Sequence, residues 1–165
     1  MAHTFKLNSE SLKREYAVYV VIIRSRTNFR LYVGKTGDNR EGCNPIISRC
    51  GNHFSYNKIH SQVRNKIENH QELEYTYVFD HFGGYPEDED ERRDKIDQIN
   101  EMERWLNLEM QKLSDGFENC AVENIYKGTG HVSKSEKAKR KAFHTKINET
   151  KIMSIVSSVS DEIRS

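Results

Sequence analysis

The clearest pattern along the chain is an apolar run at residues 16–23, which is rich in β-branched and aromatic residues and contains neither proline nor glycine. A run of this length and composition predicts a buried strand rather than a helix. Turn-forming residues at 25–28 interrupt the pattern, and a second apolar run at 29–33 ends at Gly34. The two runs therefore predict a β-hairpin.

The predicted hairpin brings two tyrosines, Tyr19 and Tyr32, close together on adjacent strands. Side chains alternate between the two faces of a strand, so both phenols lie on one face only if the register allows it. The sequence does not determine that register. A third strand is predicted at 73–79, where aromatic residues alternate with other side chains before a turn at 83–84.

Helical periodicity accounts for much of the remaining chain. Apolar residues recur at intervals of three and four between residues 96 and 113, and the acidic stretch at 86–94 favours a helix start because carboxylates stabilise a helix N-terminus. Ser133, with Glu136 three residues later, forms a capping-box pattern. Further helices are predicted at 46–53, at 59–67 and in a C-terminal stretch containing Ile152, Ile155, Val156, Val159 and Ile163. That last helix packs on its own domain or forms a dimer contact, and both interpretations stay open.

Composition limits the class of protein. Of 165 residues, 35% are hydrophobic and 31% are charged, which suits one domain with a modest core. No stretch is apolar for long enough to cross a bilayer, and the first residues lack the apolar core of a secretory signal, so we expect a cytoplasmic protein. Cys43, Cys50 and Cys120 are odd in number and lack CxxC spacing, which favours free thiols over a disulfide framework or a zinc site.

The net charge of +1 conceals two opposed segments. Residues 86–94 are strongly acidic, whereas residues 134–151 are rich in lysine and arginine. A basic segment of this kind can follow a phosphate backbone, and it can equally be a solvated helix face.

Two helical positions carry candidate chemistry. Arg49 and His53 are four residues apart, so a helix places both side chains on one face. Glu101 and Glu103 lie beside the apolar stripe of the 96–113 helix. A carboxylate beside a core is costly without a partner, and a divalent cation is one such partner.

These residues together resemble the GIY-YIG nuclease superfamily. Ala17-Val-Tyr19 and Tyr32-Val-Gly34 are similar to its two name-giving motifs, and an Arg-then-His helix and a later helix with a glutamate follow them. Ala17 replaces the usual first glycine, and the longer spacing implies an inserted loop around 38–45. The resemblance covers residues 16–120.

The resemblance implies a catalytic group of tyrosines and basic residues, namely Tyr19, Tyr32, Arg49 and His53. Lys35, just after the motif glycine, is a further candidate catalytic residue as a phosphate contact. In this catalytic group, Tyr19 is a general base or orients water. The role of base requires nearby positive charge, because the pKa of a free phenol is ~10 and must be lowered. An ungapped comparison places Glu103 at the metal-ligand position, with Glu101 as runner-up, although Asn107 stands where the family has an apolar residue. Asn119 is a substrate contact or a turn-capping amide. The other predicted substrate contacts are Gly34, Lys134, Lys137, Arg140 and Lys141.

The resulting expectation is an α+β fold with a small, mainly antiparallel three-stranded sheet, flanking helices and extra C-terminal helices. The chain is expected to divide into three parts: a lead-in at 1–15, a nuclease domain at 16–125 and a basic helical extension at 126–165. The implied function is a DNA endonuclease, of restriction or phage or mobile-element type, that uses one Mg²⁺ or Mn²⁺ and leaves 5′-phosphate and 3′-hydroxyl ends. The alternatives are a non-catalytic nucleic-acid-binding relative and a protein-interaction domain with a basic tail. The expected partners are DNA and, in a homodimer, a second copy of the chain.

Overall fold

A mixed four-stranded sheet forms the centre of the computed structural model, which describes residues 1–37, 43–59, 61–124 and 133–165. The strands are β1 (Glu15–Arg24), β2 (Phe29–Lys35), β3 (Glu74–Gly84) and β4 (Cys120–Val122), in the spatial order β3-β1-β2-β4. The α+β class is confirmed. The prediction of three strands is wrong, because β4 adds a short parallel partner to β2.

The predicted hairpin is confirmed. Strands β1 and β2 are antiparallel, and Ser25 N–H donates to the carbonyl of Asn28 across the turn over 2.9 Å. Tyr19 pairs with Gly34 and Val21 pairs with Tyr32. Since Tyr19 and Val21 share a face of β1, this register puts both phenols on the same face of the sheet.

Five helices flank the sheet in the described part of the chain: α1 (Ile46–Phe54), α2 (Gln62–Lys66), α3 (Glu89–Ser114), α4 (Lys134–Ala142) and α5 (Lys146–Arg164). The acidic stretch opens α3 as predicted, with the Asp88 side chain accepting hydrogen bonds from two first-turn N–H groups. Ser133 caps α4 in the same way by accepting from Glu136 N–H. The predicted helix at 59–67 is too long, because only Gln62–Lys66 is helical, and Ile59 is exposed.

The two faces of the sheet have separate cores, so β1 is buried on both sides and reads as a nearly continuous apolar run. One face packs against α3 and α5, where Ile152, Ile155, Val159 and Ile163 join Val18 and Val20 in one cluster. Packing of α5 on its own domain is thereby confirmed. The other face, with Tyr19 and Tyr32, packs against α1 and α2.

Some expectations concern residues outside the described ranges. They are the domain boundary at 125/126 and most of the inserted loop at 38–45. Residues 9–12 of the lead-in form a short 3-10 turn before β1 begins. Within the described ranges, no helix combines the length and apolar character that crossing a bilayer demands.

Candidate active site

The motif glycine of β2 makes room for a phenol. Gly34 lies under the ring of Tyr19, and a Cβ added at Gly34 would sit 2.4 Å from the Tyr19 Cζ and Oη atoms. No side chain fits at that distance, so only glycine allows Tyr19 to lie across the end of the hairpin. The close approach gives the Tyr-Val-Gly sequence a packing reason that is independent of any chemistry.

We expect Gly34→Ala to lower the free energy of unfolding by about 1–3 kcal/mol, since the new methyl group displaces a fully buried ring. Urea denaturation measures the change. Gly84→Ala is the matched control, because Gly84 is also a strand glycine and a Cβ there would meet nothing within 4 Å. Equal stabilities of the two variants would contradict the packing role of Gly34.

His53 lies between two phenols. Its Nε2 atom is 3.0 Å from the Tyr19 hydroxyl and its Nδ1 atom is 2.8 Å from the Tyr77 hydroxyl. Helix α1 supplies His53, while β1 and β3 supply the two tyrosines. The imidazole is 1% exposed, and Tyr32 meets it edge-on at 5.4 Å between ring centroids. The site therefore contains a continuous chain of hydrogen bonds from Tyr19 through His53 to Tyr77.

Burial keeps these aromatic groups neutral. It raises the pKa of Tyr19, and Tyr32 and Glu103 add to this effect while the Arg49 guanidinium opposes it with its charge and a hydrogen bond. The sequence interpretation needed positive charge to lower the pKa of Tyr19, and Arg49 acts in that direction, but burial outweighs it. Burial, with a smaller contribution from Arg49, lowers the pKa of His53 to about 4. The imidazole is therefore neutral at physiological pH.

Helix α1 brings Arg49 to the same place. The four-residue spacing predicted a shared face with His53, and Arg49 interacts electrostatically with His53 and with both motif tyrosines. Lys35, at the end of β2, lines a narrow groove together with Arg49 and Asn52. The groove is therefore basic at the point where β2 ends beside α1. Two cationic side chains at one groove suit the binding of a phosphate group.

Glu103 reaches this region from α3. Its negative charge raises the pKa of both Tyr19 and Tyr32, so the carboxylate lies near the phenols although α3 packs on the other face of the sheet. It lines a cavity of about 320 Å³ whose wall is otherwise polar or cationic: Asn100, Arg104, Asn107, Asn124 and Arg140. Glu103 is the one carboxylate among these lining residues.

Glu101, the runner-up, has a different environment. It is 1% exposed, and both its oxygens accept hydrogen bonds from the Arg104 guanidinium. His144, just after α4, lies 2.7 Å from Glu101 Oε1 and stacks on Trp105. Burial raises the pKa of Glu101, but these hydrogen bonds outweigh it and the net shift is downward. Glu101 thus attaches the C-terminal segment to α3.

Asn119 lies far from this group. Its exposed side chain donates to the Thr27 carbonyl at the hairpin turn, and its own carbonyl accepts from Phe29 N–H. Phe29 is five residues from Gly34 along β2, or roughly 17 Å at 3.4 Å per residue. The structure gives Asn119 the role of an amide that holds a turn, and a substrate contact by its exposed side chain stays a prediction.

A different asparagine stands near Glu103. The Asn124 side chain accepts from Val33 N–H over 2.6 Å and donates to Val33 C=O over 2.8 Å, so its amide continues the pairing of β2 beyond β4. It also lines the cavity with Glu103. Sequence reasoning missed Asn124 because its place depends on how β4 pairs, which the sequence does not reveal.

The predicted basic contacts on α4 divide into two groups. Arg140 is half-buried and lines the Glu103 cavity, whereas Lys134, Lys137 and Lys141 are exposed. Lys139 binds Asp97 and Asp94 on α3, with 2.5 Å from its Nζ to Asp97 Oδ2. That ion pair helps to fix α4 beside the cavity, with its lysines facing solvent.

The cavity offers one carboxylate to a hard divalent cation. Glu103 supplies that carboxylate, an oxygen donor of the type that Mg²⁺ and Mn²⁺ prefer, whereas the side-chain oxygens of Asn107 and Asn124 already accept hydrogen bonds. Over the described ranges, no three His, Cys, Asp or Glu side chains converge as a metal-binding group. A cation here would thus take one protein carboxylate and complete its shell with water and phosphate, as Mg²⁺ commonly does.

Comparisons with known proteins found no match to this chain among protein-family models, curated proteins or solved structures. The basis for a function is therefore the geometry just described, together with the motif resemblance. Five separate elements, β1, β2, β3, α1 and α3, contribute side chains to one small region at the end of the hairpin.

Proposed function

We propose that the protein is a metal-dependent DNA endonuclease that leaves 5′-phosphate and 3′-hydroxyl ends. The observation that supports this most is the convergence of two tyrosines, an arginine and a histidine with the electrostatic influence of Glu103. The residues come from positions as distant as 19 and 103, and packing alone does not require their polar groups to meet. Phosphodiester hydrolysis needs a nucleophilic water and compensation of phosphate charge, and this set offers both.

Each side chain has a role in the proposal. Arg49 binds a non-bridging phosphate oxygen through its planar guanidinium, and Lys35 adds charge at the edge of the groove. Tyr19 takes the proton of the attacking water, with His53 hydrogen-bonded behind it. Glu103 would hold Mg²⁺ or Mn²⁺, which when bound supplies Lewis acidity at the phosphate and leaving oxygen. Arg140 and the exposed lysines of α4 contact the DNA backbone.

One observation favours a second candidate, a nucleic-acid-binding protein without catalysis. Tyr19 is fully buried, so water reaches its hydroxyl only after the polar side chains around it move. A site that stayed closed would still present Lys35, Arg49 and the basic face of α4 to phosphates. Binding without cleavage is the result that separates this candidate from the nuclease.

We expect Mg²⁺ or Mn²⁺ to support nicking of supercoiled plasmid and EDTA to abolish it, since one cation compensates the charge that develops on phosphate. A time course resolved on agarose gels measures the effect. End-labelling of the product tests the 5′-phosphate and 3′-hydroxyl assignment. Linear plasmid appearing together with nicked circles would indicate paired active sites, as in a homodimer.

The same assay separates the alternatives. Cleavage that persists in EDTA would contradict metal dependence. No cleavage of linear, supercoiled or branched DNA, combined with tight binding that weakens steeply with salt, would replace the nuclease by the non-catalytic binding protein. Absence of binding at low salt would contradict both.

A further inference from the structure

A third tyrosine, Tyr77, contacts the candidate site without belonging to any motif of the sequence. It lies on β3, its hydroxyl is 2.8 Å from His53 Nδ1, and its ring is stacked on the imidazole at 5.9 Å between centroids. The same ring lies 6.0 Å from that of Tyr19. Tyr77 thus contacts both His53 and Tyr19 from β3, the strand that pairs with β1.

The direction of the hydrogen bonds follows from what each group can donate. Arg49 only donates, and its hydrogen bond to Tyr19 occupies an acceptor site on the phenol oxygen. The Tyr19 O–H is then free to donate to His53 Nε2. A neutral imidazole with Nε2 accepting carries its proton on Nδ1, so Nδ1–H donates to the Tyr77 oxygen. The Tyr77 O–H has the Cys50 sulfur beside it as its own acceptor.

We infer that Tyr77 is a positioning residue that fixes the rotamer and the Nδ1–H tautomer of His53, so that Nε2 is ready to receive the Tyr19 proton. This inference rests on the proposed nuclease function for its catalytic use, and on the hydrogen-bond geometry alone for the tautomer. The groups that face His53 are Tyr19 from β1, Tyr32 from β2, Arg49 from α1 and Tyr77 from β3.

The relay explains how a buried, protonated phenol acts as a base. As water attacks phosphorus, a water O–H bond breaks and its proton joins the Tyr19 oxygen, while the original Tyr19 proton moves to His53 Nε2. The electron pair left on the water oxygen forms the new P–O bond. The bond to the leaving 3′ oxygen breaks, its electron pair stays on that oxygen, and the oxygen takes a proton from solvent to become the 3′-hydroxyl. His53 becomes an imidazolium whose Nδ1–H is held by Tyr77, and it later releases the proton to solvent. No phenolate forms at any point.

The first test is nitrogen NMR of the full-length protein labelled with ¹⁵N-histidine, with His53→Gln used to assign the resonances. We expect a single neutral tautomer with protonated Nδ1 in the unmodified protein, and a mixture or the opposite tautomer in Tyr77→Phe. Tyr75→Phe is the matched control, because Tyr75 lies two residues away on β3 and donates to the His70 carbonyl instead. A protonated Nε2, or an unchanged tautomer in Tyr77→Phe, would overturn the inference.

The second test is single-turnover cleavage. Tyr77→Phe is expected to lower the rate constant roughly 10- to 100-fold with little change in the DNA concentration for half-saturation, and to have no further effect in a His53→Gln background. An equal loss in Tyr75→Phe, or additive losses with His53→Gln, would indicate a merely structural role and overturn the inference. If the unmodified protein does not cleave DNA, the proposed function fails, and the NMR result still decides the positioning role of Tyr77.

Discussion

Glu103→Gln is expected to lower the rate of metal-dependent cleavage by about 10³-fold while leaving the fold intact. Glutamine keeps the shape and hydrogen bonding of the side chain but removes the charge that attracts a divalent cation. No other carboxylate lines the same cavity in the described part of the chain, so no neighbour can replace it. The rate of plasmid nicking measures the loss, and Mn²⁺ binding followed by electron paramagnetic resonance measures the affinity.

The matched control for this variant is Glu109→Gln. Glu109 lies on the same helix, and its carboxylate pairs with Lys112 at 2.8 Å rather than lining the Glu103 cavity. We expect cleavage and Mn²⁺ binding to stay within about twofold in this control, because Glu109 does not line the cavity that would hold the cation. Full activity in Glu103→Gln would reject the metal-ligand assignment. Lost activity with unchanged Mn²⁺ binding would show that the carboxylate acts in another way.

Several parts of the site follow from local pattern. The hairpin was predictable because its two apolar runs flank turn-forming residues, and helix α1 was predictable because Arg49 and His53 repeat at helical spacing. Local pattern also predicted the start of α3 at the acidic stretch. In each case, the interactions that decide the structure join residues that are close in sequence.

Other parts depend on contacts between distant residues. The alternation at 73–79 predicted that Tyr75 and Tyr77 share a face, but not that Tyr77 would stand opposite His53, because that requires the register of β1 with β3. Strand β4 is three residues long, too short to leave a periodic signal. Its pairing with β2 is what places Asn119 at the hairpin turn and Asn124 beside Val33.

The choice between the two glutamates also depends on distant contacts. On the helix alone, Glu101 and Glu103 are equivalent candidates beside one apolar stripe. The described fold adds His144, 43 residues after Glu101, which with Arg104 compensates the buried charge. This environment gives Glu101 a structural role, and the proposal of Glu103 as the ligand rests on the motif comparison and on its charge acting on both motif tyrosines.

Glu101→Ala is expected to lower the free energy of unfolding by about 3 kcal/mol, since removing one partner leaves the Arg104 guanidinium of a largely buried ion pair uncompensated. The value lies at the low end for buried pairs because Arg104 is 22% exposed and keeps some solvation. Urea denaturation measures the change. Trp105 is the single tryptophan and stacks on His144 at 4.2 Å between ring centroids, so its fluorescence reports whether the C-terminal segment stays attached.

The pH dependence of this effect has a definite sign. The folded-state pKa of Glu101 lies below the ordinary value of 4.5, so its stabilising contribution is complete above that pH and is lost as the pH falls through the lowered folded value. The difference in stability between the unmodified protein and Glu101→Ala should therefore shrink in acid. Glu109→Ala, which removes a pair with Lys112, a side chain that is 71% exposed, should cost less than Glu101→Ala. Equal costs for the two variants would mean that Glu101 does not attach the C-terminal segment, and would return it to consideration as the metal ligand.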